Sequence, residues 1–305
     1  MTMPLPILNT LGSCRICGGG RTRCIGEKTS AFSDMNFELF ECLDCSFQFV
    51  RPVIDPTSVY TADYYRGRGA DPIVDYEEEF RNPFHTPRLF EFNNLVQIVR
   101  NVKAEGTSQQ LRWLDYGCGN GALLRFLTEQ KDLQIHAAGF DESVVSQRLK
   151  VQGFEFYDRN ELQTLPAGSF DVVTCIEVIE HTLEPREVVT EISRLLKPEG
   201  LLLLTTGNMH SPVARMRGFH FSYCVPEVHI SLFNPKLLEN VYRECGLEPR
   251  YFRYSGVIRF KILKSLGPRL GKNRIAAFVA GLRPVTLILD WLFGVSKIPS
   301  AVKMP

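Results

Sequence analysis

Nowhere in the 305 residues does an uncharged run reach the roughly 18 positions a membrane-crossing helix needs, so no plain transmembrane span is encoded. Neither sign of charge dominates: 35 Lys and Arg face 34 Asp and Glu, a formal +1. A polybasic nucleic-acid binder of the whole chain is thereby excluded. Residues 1–13 have no basic start, and their prolines interrupt any apolar stretch, so they do not read as a secretory leader. Internal repeats and low-complexity tracts are absent as well. What remains is globular, with 44% hydrophobic and 23% charged residues, enough for one large domain and a small one. Nine cysteines are many for such a chain, and an odd number argues against a closed disulfide framework. Reduced thiols available to a metal, and a cytoplasmic location, are the expectation.

Four of those cysteines form two C-x-x-C pairs, Cys14–Cys17 and Cys42–Cys45, with 24 residues between the pairs. Each pair puts two sulfurs within reach of one ion, and two pairs complete a tetrahedral thiolate site. Gly18 follows the first pair where a knuckle needs unusual backbone angles. Phe32–Phe40 and Phe47–Val50 read as short strands of a ribbon over residues 1–55. So small a ribbon has little core, and a structural zinc held by Cys14, Cys17, Cys42 and Cys45 is expected. With all four positions filled by thiolates, none is open for catalysis. Cys24, Cys118, Cys175, Cys224 and Cys245 lack partners at ligand spacing and read as small packed residues.

Tyr60, Tyr64 and Tyr65 precede Arg66–Gly69 and an acidic run, Glu77–Glu79. Thr86–Pro87 then predicts a helix start, with an amphipathic helix to about Lys103. From Leu111 strand-like and helical stretches alternate: strands at Leu111–Tyr116, Ile135–Phe140, Phe154–Tyr157, Asp171–Ile176 and Leu201–Thr206. Helices are predicted at Gly121–Gln130, Val144–Gln152 and Pro185–Leu196, then at Asn234–Cys245 with Gly246 as its stop. Pro249–Tyr254 is a sixth strand candidate. The alternation predicts an α/β fold, a parallel sheet covered on both faces.

The sharpest chemistry is Leu114–Gly121, LDYGCGNG, which ends a strand and opens a helix. Gly117, Gly119 and Gly121 allow a tight turn and close approach of a ligand to free helix N–H groups. Gly117, Gly119 and Ala122 formally fit a dinucleotide fingerprint. Asp115 argues against it, because a carboxylate there would face a doubly charged pyrophosphate. S-adenosylmethionine presents a sulfonium and an ammonium instead, which a carboxylate favours. Asp141, at the end of the second strand, can bridge ribose hydroxyls with either ligand.

Over about Leu111–Arg250 the chain resembles the class I S-adenosylmethionine-dependent methyltransferases. LDYGCGNG, FDES, FDVVTCIEVIEH and LLKPEGLLLLTTGN carry the resemblance. It implies a doubly wound, Rossmann-like sheet. By position, Asp115, Gly117, Gly119 and Gly121 would line the methionine half, Asp141 would hold the ribose, and Asp158 would approach the adenine amino group. A narrower resemblance rests on the four-cysteine ribbon, DYYRG and GNMHSPVARMRGFHFSYCVPEVHISLFNPKLLENVYRECGL. It is to a bacterial methyltransferase group of glycan and natural-product pathways, which includes deoxysugar C-methyltransferases. The chain departs from it at Phe219–His220–Phe221, where many relatives carry a tryptophan.

Methyl transfer is an in-line displacement, and holding nucleophile and methyl group aligned supplies much of the acceleration. A base is needed only where the acceptor must lose a proton. His181, after strand four, and His229, after strand five, are the catalytic candidates. Glu177, Glu180 and His181 also resemble the metal-associated set of ubiquinone-pathway O-methyltransferases. Strand five ends in TTGN and not N-P-P-aromatic, which counts against methylation of nucleobase or glutamine amino groups in the resembled superfamily. A zinc-ribbon RNA base methyltransferase is the rival, yet residues 1–55 carry five basic and six acidic side chains and offer no basic groove. A fold-retaining binding protein without turnover is the non-enzymatic alternative.

The near-neutral total hides a split, since Gly256–Pro305 holds nine Lys and Arg against Asp290 alone. Its apolar stretches Ile275–Leu282 and Val285–Val295 read either as amphipathic helices on an anionic membrane surface or as a helical insertion packed before a last strand near Ser296–Met304. The expected organisation is a zinc ribbon (1–55), a helical linker or lid (56–107), an S-adenosylmethionine-binding domain (108–255) and a basic helical segment with the last strand (256–305). The expected partner is a small-molecule methyl acceptor, with no nucleic acid.

Overall fold

The computed structural model describes residues 6–8, 13–71, 75–86, 88–103, 110–130, 132–143, 148–252 and 298–305. Both apolar stretches of the basic segment lie outside them, as does the beginning of the predicted Val144–Gln152 helix. Among the described residues no helix is long and apolar enough to cross a membrane.

After β1 (Ile7–Leu8), the chain forms an antiparallel meander of β2 (Thr22–Thr29), β3 (Asn36–Cys42) and β4 (Gln48–Arg51). The predicted Phe32 start of β3 falls in the preceding turn, where Asp34 N–H donates to the Ser30 carbonyl at 3.1 Å. β5 (Val53–Ile54) pairs back with β1. Short helices α1 (Pro56–Val59), α2 (Ala62–Tyr65) and α3 (Tyr76–Arg81) lead to the long α4 (Leu89–Lys103).

The alternating part follows: β6 (Leu111–Tyr116), α5 (Ala122–Thr128), β7 (Ile135–Phe140), α6 (Arg148–Val151), β8 (Glu155–Tyr157), α7 (Arg159–Thr164), β9 (Phe170–Ile176), α8 (Pro185–Leu195) and β10 (Leu196–Thr205). Next come α9 (Pro212–Arg217), β11 (Ser231–Leu232), α10 (Pro235–Glu244), β12 (Leu247–Arg250) and β13 (Ser300–Lys303). β10 begins earlier than predicted because α8 runs directly into it. Its KPEG turn, with Glu199 at φ 59°, is an irregularity inside the strand.

Seven strands form one sheet in the order β12-β13-β10-β9-β6-β7-β8, with β13 antiparallel to both neighbours. The apolar run of β10 has two faces to fill. Leu201 and Leu203 pack with Trp113, Val172 and the helices α4 and α5, whereas Leu202 and Leu204 pack with Leu114, Val173 and the helices α8 and α10. All four leucines are fully buried, as strands covered on both sides require.

The ribbon shares these cores. Its own sheet has the order β11-β4-β3-β2, so its fourth strand comes from the connection after β10. Ile16, Phe47 and Phe49 pack with Phe233 and Leu237. Phe37, Leu39 and Val50 pack with Phe219, Val228 and Leu232.

Candidate functional site

Strand order reverses direction between β9 and β6, and a crevice opens where strands leave such a switch point. A cavity of about 1330 Å³ lies there, beyond the carboxyl ends of β6, β7, β9 and β10. At one end stands the glycine loop. Gly117, Gly119 and Gly121 have φ of 82°, 54° and 87°, in the left-handed region. A Cβ on Gly117 would meet Val178 Cγ2 at 2.3 Å, whereas one on Gly119 would meet nothing within 4 Å, because Gly119 faces the open cavity. Gly121 is the N-cap of α5, packed against Leu149, and is not on the cavity wall. The buried Asn120 lines the wall, and its Nδ2 has no hydrogen-bond partner among the described residues.

Asp115 is 5% exposed on this wall, and burial lifts its carboxyl to about 7. Thr174 opposes the shift by donating its hydroxyl to Asp115 Oδ1 at 2.9 Å, while Thr174 Oγ1 accepts from Trp113 Nε1 at 3.2 Å. Trp113, Thr174 and Asp115 thus form one buried chain of hydrogen bonds. Thr174→Val keeps the shape and removes the bond; we expect the Asp115 carboxyl to titrate higher still and cofactor affinity at neutral pH to fall several-fold, measurable by calorimetry across pH.

Arg88 lines the same end, its guanidinium paired with Glu91 at 3.1 Å and Glu79 at 3.6 Å. The sequence offered little sign of it: the Arg88–Glu91 spacing was readable, but the burial that makes it a site residue was not. Asp141 spends one oxygen on Gly119 N–H and the other on Ser143 N–H, both at 2.7 Å, and so ties the glycine loop to the end of β7. Each oxygen keeps a further lone pair toward the cavity. Beyond it, Tyr116 and Phe140 rings lie 4.7 Å apart, and the Arg159 guanidinium sits 4.5 Å over Phe140. Asp158 does not join this wall. Its carboxylate accepts Glu161 N–H at 2.9 Å in a capping box that opens α7, so the helix start claims it and Arg159 takes the wall position.

The other end of the cavity is aromatic. Tyr60, Tyr64 and Tyr223 line it with His181 and His229, while Tyr65, beside Ser143 and Asp141, and Tyr76, beside Arg88, continue the aromatic lining to the glycine-loop end. Tyr60 hydroxyl lies 2.8 Å from His181 Nδ1, which donates to the Val228 carbonyl at 3.0 Å. The His181 and His229 ring centroids are 4.8 Å apart. Burial, aided by His229, pushes His181 down to about 3, so it is a neutral imidazole at physiological pH. His229 Nδ1 donates to the Tyr223 carbonyl, which assigns the tautomer and leaves Nε2 as the acceptor, 4.0 Å from Asp71 Oδ2. The two histidines read from the sequence therefore meet in one place; Tyr60, from the tyrosine cluster before Arg66–Gly69, joins them, and Asp71 and Tyr223 join without a sequence signal.

Glu180 is buried behind this wall, its carboxylate accepting from Tyr223 hydroxyl and from Thr206 Oγ1 at 2.9 Å. Burial first, and Glu177 next, push its pKa well above the carboxylate range. Ligand atoms of Glu180, His181 and His229 lie within 4.8 Å of one another.

In the ribbon, the sulfurs of Cys14, Cys17, Cys42 and Cys45 lie within the same 4.8 Å limit, with Cys14–Cys45 at 3.5 Å and Cys17–Cys42 at 3.6 Å. The two pairs repeat one knuckle: Gly18 N–H donates to Cys14 O at 2.8 Å, and Ser46 N–H donates to Cys42 O at 2.9 Å. Gly18 and Ser46 take φ of 71° and 61°, the left-handed angle expected after such a pair. Four converging thiols in paired knuckles fit a tetrahedral zinc. Of the others, Cys118, Cys175 and Cys224 are buried, Cys245 half-buried and Cys24 exposed.

Residues 88–251 match the family model described as a methyltransferase domain. Among curated proteins, the chain is 28% identical over 201 residues to a ubiquinone biosynthesis O-methyltransferase of Bordetella avium, covering 59% of this chain and 76% of that one. It is 31% identical over 148 residues to the protein of the same name in Leptothrix cholodnii, covering 44% and 57%. Among solved structures, an amino pentose methyltransferase from Micromonospora echinaspora is 17% identical, with 60% and 92% covered and a TM-score of 0.42. Phosphoethanolamine N-methyltransferase 2 of Haemonchus contortus is 16% identical, with 76% and 61% covered and a TM-score of 0.40. The matched stretch spans more than half of the chain and holds the glycine loop, Asp115, Asp141 and both histidines; the chain belongs to this methyltransferase-domain family and is an S-adenosylmethionine-dependent methyltransferase.

Proposed function

We propose that the cavity takes S-adenosylmethionine at its glycine-loop end and a small-molecule acceptor, a sugar or secondary-metabolite intermediate, at its tyrosine–histidine end. One observation carries this reading: a single cavity of about 1330 Å³ joins an acidic, glycine-lined end to a phenol- and imidazole-lined end. That exceeds the roughly 300–1,000 Å³ of an ordinary small-ligand site and leaves room for two ligands.

When bound, the cofactor supplies an electrophilic methyl group. Asp115 faces its cationic methionine half, Arg88 is placed to pair the methionine carboxylate, and Asp141 offers lone pairs to the ribose hydroxyls. Tyr60, Tyr64 and Tyr223 hold the acceptor and exclude water from the reacting line. Nε2 of His229 takes the acceptor proton, and Asp71 beside it favours the imidazolium that results. His181, kept neutral, orients Tyr60. In the ribbon, zinc would be held by Cys14, Cys17, Cys42 and Cys45, where it joins the two knuckles and adds no step to the reaction.

The ubiquinone-type relatives suggest a second acceptor class, a phenol activated by a cation at Glu177, Glu180 and His181, of which Glu177 and His181 line the cavity. Against a cation there, the Glu180 carboxylate already accepts from Tyr223 and Thr206 and lies behind the cavity wall. Release of S-adenosylhomocysteine, measured against panels of amino- and deoxysugars and of polyphenols, tests the function. No release above the acceptor-free rate with any panel, despite tight cofactor binding, would favour a binding protein. Within a positive assay, a chelator that leaves the ribbon zinc in place is expected to leave the rate unchanged. A rate restored only by added divalent cation would establish the metal-assisted reading.

A further inference from the structure

The first ribbon knuckle reaches the acceptor end of the cavity through one side chain. Arg15 lies next to Cys14, and its half-buried side chain donates from Nη2 to the Ile230 carbonyl at 2.8 Å. Its carbon centre is 5.7 Å from the ring centroids of both Phe47 and Phe49. Nη1 has no hydrogen-bond partner among the described residues. Glu184 and the Cys14 sulfur favour the cation, but only one carbonyl and two ring faces contact it directly, and Nη1 is left unpaired.

What the arrangement secures is the position of Ile230. The same carbonyl accepts Val50 N–H at 3.1 Å, and Ile230 N–H donates to the Glu180 carbonyl at 2.9 Å. Ile230 directly follows His229, and Glu180 directly precedes His181. One residue is therefore held from the ribbon on one side and from the His181 turn on the other. A shift of Ile230 changes the relation between two imidazoles whose centroids are 4.8 Å apart.

We propose that Arg15 is a positioning residue for the acceptor site, holding Ile230 so that His229 keeps its place beside His181. The proposal rests on the reading that His229 serves the acceptor, and its test reads geometry and not turnover. The zinc-loaded 305-residue chain, with its six histidines carbon-13 labelled at Cε1, has six imidazole cross-peaks. His181→Asn and His229→Asn assign two of them.

In Arg15→Met we expect zinc content and S-adenosylhomocysteine affinity to stay within twofold of the unsubstituted protein. The His181 and His229 cross-peaks should shift or broaden, with His85, His136, His210 and His220 in place. Arg15→Lys keeps the charge but loses the planar fork that aims Nη2; a smaller displacement of the same two peaks is expected. The lysine variant decides the question should the methionine variant lose its zinc. A purely packing role would lower the melting temperature without a selective effect on these two peaks. Unmoved His181 and His229 cross-peaks in a zinc-loaded, cofactor-binding variant overturn the proposal. An Arg15 effect alongside a fully active His229→Asn enzyme would instead remove the acceptor role of His229 and leave the coupling standing.

Discussion

Asp115→Asn is expected to weaken S-adenosylmethionine binding by roughly 30–100-fold at pH 8, the loss of a charge-assisted contact of about 2–3 kcal/mol. The pH dependence is more diagnostic than the loss. In the free protein burial holds the Asp115 carboxyl near 7, so below that pH the group carries a proton. The cationic end of the cofactor favours the carboxylate, and binding at low pH must expel the proton. Affinity of the unsubstituted enzyme should therefore rise up to tenfold per pH unit toward 7 and level off above it. The asparagine variant should bind weakly and evenly across the range. Stability follows the opposite course: with the folded-state pKa raised, the contribution of this group is present at low pH and is lost as pH rises through 7. The free enzyme should melt lower at pH 8 than at pH 5.5 on this account, and bound cofactor should reduce the difference. Calorimetric titrations at five pH values check the first expectation and melting curves the second. A pH-independent affinity for both proteins would remove Asp115 from the cofactor site.

His229→Asn is expected to lower kcat by about 100-fold or more for an acceptor that must lose a proton, with cofactor affinity unchanged. Asparagine can keep the donor to the Tyr223 carbonyl and removes only the basic nitrogen on the Asp71 side. Single-turnover rates with a confirmed acceptor separate this from a binding defect. His181→Asn should cost less in kcat, since an imidazole pushed down to about 3 has little basicity to lose. Equal kcat losses in the two variants would mean that the pair acts as a unit.

Local patterns were readable where one short stretch carries both the signal and the geometry. LDYGCGNG is such a stretch, because the strand, the left-handed glycines and the helix start lie within eight residues. The knuckles are another: Gly18 and Ser46 take the same backbone turn because each follows a C-x-x-C pair. Asp158 shows the limit. A carboxylate after the third strand serves equally as a ligand and as a helix cap, and the capping pattern in Asp158–Glu161 was itself present in the sequence. The helix start took it. The acceptor end was hardly legible, since Tyr60, Asp71, His181, Tyr223 and His229 converge from four separate segments. β11, two residues long, has no periodicity to announce that it completes the ribbon sheet.

The place of β13 carries a consequence for how the molecule is made. Leu201 and Leu202 of β10 pair with Val302 and Ala301, partners about a hundred positions later in the chain. β12 pairs with the same late strand and has no direct pairing with β10. As a ribosome extends the chain, the flank of β10 stays unpaired until β13 emerges. Tyr242, whose hydroxyl donates to the Pro299 carbonyl at 2.9 Å, waits for the same stretch. Final closure of the sheet thus waits for Ser300–Lys303, and long-separated pairing of this kind slows folding. A ribosome-stalled chain lacking residues 298–305 should expose the β10 edge to protease or chaperone, and release of those eight residues should protect it.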